Sequence, residues 1–175
     1  MNQPQAEPRP LSEDTRLIPL TQGQFALVDA ADYDWLSQWK WFASWCSSTK
    51  SFYAARNSSP VKGKHHWTPM HRLILGLERG NKMQGDHISR DTLDNRRSNL
   101  RVATISQNQM NRPRQRNNTT GFKGVSFHKH SGKYQAHIRL NHKLIYLGLF
   151  PNAELAHEAY KVATVKYHGE FSCHS

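Results

Sequence analysis

The chain has 175 residues, with 24 Lys and Arg against 13 Asp and Glu, a formal net charge of +11 and a pI near 10.0. So basic a chain is expected to meet a polyanion. A membrane partner is not expected, because no apolar run approaches the roughly 20 residues that span a bilayer. Cys46 and Cys173 form no Cys-x-x-Cys pair, which excludes a four-cysteine zinc site and a disulfide framework and points to the cytoplasm.

Residues 1–16 read as a loose, polar arm without the basic start and apolar stretch of a signal peptide. Residues 17–69 read as an aromatic-rich β module. Phe25–Val28 is a predicted strand, and Asp32–Leu36 a short helical turn. Trp39–Trp45 and Phe52–Arg56 are strands around a Ser-Ser-Thr-Lys-Ser turn. Trp35, Trp39, Trp41 and Trp45 are either mostly the core of this module or a base-stacking surface, with the core reading preferred. Pro69–Leu75 enters a short helix.

Met83–Ile88 is a predicted strand, Ser89–Arg97 a polar loop, and Asn99–Thr104 leads into a helix that starts near Thr104. Thr104 followed by Gln107 has the spacing of a capping box. Residues 113–120 form a basic linker that either tracks a phosphate backbone or serves as a plain tether.

From Gly121 onward the pattern changes. Gly124–His128, Tyr134–Leu140 and Lys143–Phe150 are predicted strands, and Asn152 caps a helix to about Tyr167 that Gly169 ends. Tyr134, Ala136, Ile138 and Leu140 share one sheet face, and Gln135, His137 and Arg139 the other. Ala156, Ala159, Tyr160, Ala163 and Tyr167 fall on one helical face, which is expected to cover the sheet. The fold class is therefore α+β: a small strand-loop-helix module over residues 70–112, then a three-stranded antiparallel sheet packed on one helix over 121–175.

Charge is concentrated. Between Asn95 and Ala153 there is no Asp or Glu, while Arg96, Arg97, Arg101, Arg112, Arg114, Arg116, Lys123, Lys129, Lys133, Arg139 and Lys143 all fall there. A solvated surface normally mixes signs, so this stretch is expected to touch nucleic acid.

Asp86 and His87 stand together at a strand end. Asn99 follows His87 by twelve residues and Asn108 follows Asn99 by nine. A hairpin-then-helix arrangement would fold Asn108 back onto Asp86 and supply a carboxylate and an amide carbonyl to a divalent cation. His87 is a base beside it. A base and a metal are what phosphodiester hydrolysis requires.

Residues 70–111, from Met70-His71-Arg72-Leu73-Ile74 through Asp86-His87 to Asp94-Asn95-Arg96-Arg97-Ser98-Asn99-Leu100-Arg101 and Gln107-Asn108, resemble the HNH motif of phage and intron homing endonucleases of the ββα-metal class. The resemblance implies that His87 is the general base, that Asn99 braces the loop and orients His87, and that Asp86 and Asn108 hold Mg²⁺ or Mn²⁺. Asn108 stands where many members have His. Ile88-Ser89-Arg90-Asp91 stands where an Asn-Gly turn is usual. His71 is expected to pack beside the site. His65, His66, His128, His130, His142, His168 and His174 read as loop or surface residues.

Residues 121–175 resemble the DNA-binding domain of plant ethylene-response (APETALA-type) factors, carried by Gly121-Phe122-Lys123-Gly124-Val125, Ala136-His137-Ile138-Arg139, Tyr146-Leu147-Gly148-Leu149-Phe150 and the segment from Ala153 to Phe171. That likeness implies that the open sheet face lies in the major groove, with contacts from Lys123, His128, Arg139 and Tyr146. Ser126 and Leu144 replace arginines of the plant domains, and Tyr146 a tryptophan. The segments 17–28 and 32–42 resemble the N-terminal part of phage HNH proteins, which suggests no role for them. The expected partner is double-stranded DNA, nicked or cut by a phage-encoded or mobile-element protein. No protein partner is evident, so a monomer or weak dimer is expected.

Overall fold

In a computed structural model the described residues are 12–58, 66–115, 117–141 and 143–173. They fall into two compact units, residues 1–102 and 103–175. The arm expected over residues 1–16 lies outside the described residues up to position 11, and Arg116, His65, His142 and His174 lie outside them too.

In the first unit, β1 (Thr15–Pro19) pairs antiparallel with β2 (Phe25–Asp29). The sequence pattern marked the second strand and missed the first. Of β1, only Thr15 and Ile18 are buried, so its alternation is weak. Helix α1 (Ala30–Leu36) follows at once. Strands β3 (Phe42–Cys46), β4 (Ser51–Asn57) and β5 (Trp67–Pro69) make a three-stranded antiparallel sheet in that order. Helix α2 (Met70–Ile74) leaves β5 directly.

Ile18, Val28, Leu36, Trp41, Met70 and Leu100 form the core of this unit. Burying a side chain of this size contributes about 1.5–3 kcal/mol. Trp35 and Trp39 pack against that core as expected, in successive edge-to-face contacts with Trp41. Trp45 does not: it is 54% exposed, with its ring against that of Phe52. Strands β6 (Gln84–His87) and β7 (Leu100–Ala103) form a separate two-stranded sheet.

In the second unit, α3 (Ile105–Met110) carries the expected capping box. Gln107 N–H donates to Thr104 Oγ1 at 3.2 Å, and Thr104 N–H donates to Gln107 Oε1 at 2.8 Å. Strands β8 (Val125–His128), β9 (Lys133–Leu140) and β10 (Lys143–Phe150) form an antiparallel sheet in the order β10-β9-β8. Helix α4 (Ala153–His168) covers one face, capped by Asn152 Oδ1, which accepts from Leu155 N–H at 2.9 Å. Ala136 and Ile138 are buried under it, with Ala156, Tyr160 and Ala163. Gly124, at φ +75°, lets the ring of Tyr160 close on the start of β8: a Cβ there would lie 2.0 Å from Tyr160 Cδ2. The α+β class holds. One expectation is corrected: His168 is buried, because α4 runs one residue beyond Tyr167 and turns that ring inward, where its Nε2 lies 3.0 Å from the carbonyl of Arg139.

Candidate active site

The site in the first unit is built from a loop that the rest of the unit holds in place. Residues 88–99 join β6 to β7, and they are anchored to strand β2. Leu27 N–H donates to the carbonyl of Leu93 at 2.9 Å, and Asn95 N–H donates back to the carbonyl of Leu27 at 2.7 Å. Thr92 Oγ1 donates to the carbonyl of Phe52 on β4 at 2.6 Å. Arg97 Nε and Nη2 reach the two carboxylate oxygens of Asp32 on α1 at 2.8 Å each, and Arg97 N–H donates to Asp29. The segments before residue 58, to which the sequence assigned no role, thus form the frame of the loop.

Asn99 braces the same loop from within. Its Oδ1 accepts from Ser89 N–H at 2.8 Å, its Nδ2 donates to the carbonyl of Asp94 at 2.7 Å, and its carbonyl accepts from Ile88 N–H. The turn departs from the usual Asn-Gly pattern at a definable cost. Arg90 sits at φ +69°, and its N–H donates to the carbonyl of His87 at 3.0 Å.

His87 is 5% exposed. Its Nε2 lies 3.4 Å from Asn95 Oδ1. The rings of His71 and Tyr53 stand beside it, with centroids 4.8 Å and 6.0 Å away. Burial pushes the His87 pKa below the usual imidazole value, although Asn95, Asp86, Asp91 and Asp94 pull the other way. His71 is pushed down to about 3, by burial first and then by His87 and Arg72. Both rings are neutral at pH 7, and a neutral imidazole is the form that accepts a proton.

Asp86 is equally buried, and Arg101 Nε donates to its Oδ2 at 2.8 Å. Arg96 pairs with Asp94 at 2.6 Å. Burial pushes the carboxyls of Asp32 and Asp94 up, but hydrogen bonds from Arg97 and Trp35 to Asp32, and from Arg96 to Asp94, outweigh it and leave both below the usual range. Arg96, Arg97 and Arg101 were expected to contact DNA. Each has its guanidinium on a carboxylate of its own unit. Sequence inspection missed Arg101 as the partner of Asp86, although the antiparallel neighbours of a hairpin are the place to look for one. It also passed over Asn95, which lay inside the quoted motif. Tyr53 left no local signal, because β4 alone brings it to the site.

Asn108 lies on α3 in the second unit, where its N–H donates to the carbonyl of Thr104. Among the described residues no group of three or more His, Cys, Asp and Glu converges as a cation cage. The expected donors, the Asp86 carboxylate and the Asn108 amide oxygen, are hard oxygens. Such a pair suits a hard cation that completes its shell with water and substrate oxygens, as Mg²⁺ commonly does.

The remaining expected contacts lie in the second unit. Arg112, Arg114 and Arg139 are exposed. Lys123 Nζ donates to the carbonyls of Met110 at 2.8 Å and Arg112 at 2.5 Å. His128 Nδ1 meets Ser131 Oγ at 2.8 Å. Tyr146 is exposed on the open sheet face, beside His137.

Asp86 and His87 end β6, and the loop that follows is braced by Asn99. Residues 69–110 match the family described as HNH endonuclease. Over 160 residues the chain is 27% identical to a protein of Acanthamoeba polyphaga mimivirus described as an uncharacterized HNH endonuclease, covering 89% of this chain and 77% of that one. No solved structure matches the chain. No helix among the described residues is long and apolar enough to cross a membrane.

Proposed function

We propose that the chain is a metal-dependent HNH endonuclease of the homing type that nicks or cuts double-stranded DNA. The observation that carries the reading is His87: a buried, neutral imidazole at the mouth of a braced loop, next in sequence to a buried carboxylate. Donation from its Nε2–H to Asn95 Oδ1 leaves Nδ1 with the lone pair. Nδ1 then takes a proton from the attacking water as the water oxygen bonds to phosphorus. The bond from phosphorus to the 3′ oxygen breaks. That oxygen takes a proton from solvent, leaving a 3′-hydroxyl and a 5′-phosphate. Asn99 holds the loop that presents His87, and the His71 and Tyr53 rings fix its plane.

Asp86 and Asn108 are the residues that would hold the Mg²⁺ or Mn²⁺. Such an ion, when bound, supplies charge stabilisation to the phosphorane-like transition state and the leaving oxygen. Arg101, donating from Nε, orients the Asp86 carboxylate. The sheet-and-helix unit resembling the ethylene-response domain is proposed to supply DNA affinity through Arg112, Arg114, Arg139 and Tyr146.

The test is incubation of supercoiled plasmid with the purified chain, with and without Mg²⁺. Nicked or linear product should appear only with the metal. EDTA should stop it, and Asp86→Ala or Asn108→Ala should weaken it. Undiminished cleavage in EDTA contradicts a metal mechanism.

A further inference from the structure

The second unit contains a groove of about 700 Å³. Its walls come from α3, residues 112–115 and 117–119, the start of β8 and the Arg139 stretch of β9. Arg112, Arg114 and Arg139 line it, and no Asp or Glu is among the residues that do. All three residues are exposed.

The walls are built rather than loose. Lys123 lines the groove too, but its ammonium group is engaged by the carbonyls of Met110 and Arg112, tying the end of α3 and the start of the linker to the sheet unit. Asn118 knots the far end. Its Nδ2 donates to the carbonyls of Phe122 and Val125, and its Oδ1 accepts from Thr120 and Gly121 N–H groups. His168 closes the floor, its Nε2 at the Arg139 carbonyl. Asn118 and Lys123 thus tie the described residues on both sides of the groove to the sheet unit.

We propose that this groove is a phosphodiester-backbone clamp for double-stranded DNA, with Arg112, Arg114 and Arg139 each meeting a phosphate. The proposal rests on the reading that the chain acts on DNA. The chemistry favours a polyanion over a small anion. The volume is far larger than one phosphate, and the cations sit on two separate segments instead of converging on a point. Planar guanidinium groups meet phosphate oxygens in pairs. A preformed cationic wall also loses little freedom on binding.

The test is fluorescence anisotropy with a labelled DNA duplex across a salt series, on the full chain and in EDTA so that no cleavage intervenes. Each phosphate contact contributes about −0.9 to the slope of log K against log salt. The double variant Arg112→Ala/Arg114→Ala should flatten the slope by about two, and Arg139→Ala by about one, similarly on unrelated sequences. These side chains are exposed, and circular dichroism should show the variants folded. A control, Lys161→Ala/Lys166→Ala on α4, removes the same charge outside the groove and should leave the slope near that of the wild type. An unchanged slope in the groove variants overturns the clamp, as does an equal change in the control. Tighter binding to single-stranded RNA of equal length also overturns it. If the wild-type chain binds no duplex at all, the DNA reading and the clamp fall together. Duplex binding with unaltered groove variants removes the clamp alone.

Discussion

The imidazole of His71 stands edge-on to that of His87, 4.8 Å between centroids, and Gly85 makes room for it. A Cβ on residue 85 would lie 2.5 Å from His71 Cδ2 and 3.1 Å from Leu75 Cδ1. Gly85→Ala should therefore push His71 onto His87. Overpacking of this kind costs about 1–3 kcal/mol. Plasmid nicking should fall while duplex binding holds. Adding Gly85→Ala to a His71→Ala background should cost clearly less, because the clash is gone. Equal costs in both backgrounds, measured by denaturant unfolding, would show that the ring contact does not matter.

Arg101 pairs with Asp86, its side chain nearly as buried as the carboxylate it meets. Removing one partner of a buried pair leaves an uncompensated charge, typically at about 3–5 kcal/mol. Arg101→Ala should lose stability on that scale and lose nicking with it. Its salt slope for duplex binding should match that of the wild type. A stable variant with a slope flatter by about one would return Arg101 to the DNA surface.

Much of this was legible in the sequence, and the remainder failed for identifiable reasons. The second unit could be read almost whole. Alternation along β9, the alanine face of α4 and the Asn152 and Thr104 caps are local signals, and each element satisfies its own. The placing of Asp86 and His87 at the end of a strand is likewise local. What could not be read was how the first unit holds the loop. The Asp32–Arg97 pair, the Thr92 bond to β4 and the Leu27 bridge join residues 40 or more positions apart. Charge counting treated every arginine alike, and only tertiary contacts separate those on carboxylates from those that remain solvated.

Arg90 offers a test of stored strain. A residue with a Cβ pays about 1–2 kcal/mol in the left-handed region, and Asn less than most. At φ +69°, Arg90→Asn should raise the unfolding temperature by an amount worth about 1 kcal/mol or less. A lower temperature would mean that the Arg90 side chain contributes more than its backbone costs.

The buried histidines set an acid limit. An unfolded histidine titrates near about 6.5, whereas folded His71 is held down to about 3 and His87 is also lowered. Below pH 6.5 the unfolded chain takes up protons that the folded chain refuses. Stability should therefore be fully present above that pH and decline as pH falls towards 3. His71→Phe should reduce the slope of stability against pH in this window. An unaltered slope would show that His71 is not held neutral.

The central claim is that His87 is the general base, and one comparison tests it most directly. Wild type and His87→Ala are assayed side by side with Mg²⁺ for nicking of supercoiled plasmid, with duplex binding measured on the same preparations. Loss of a general base typically costs about 10²–10⁴ in rate. The account predicts a loss in that range with binding within a few-fold of wild type. Nicking by a folded His87→Ala chain at the wild-type rate would contradict it.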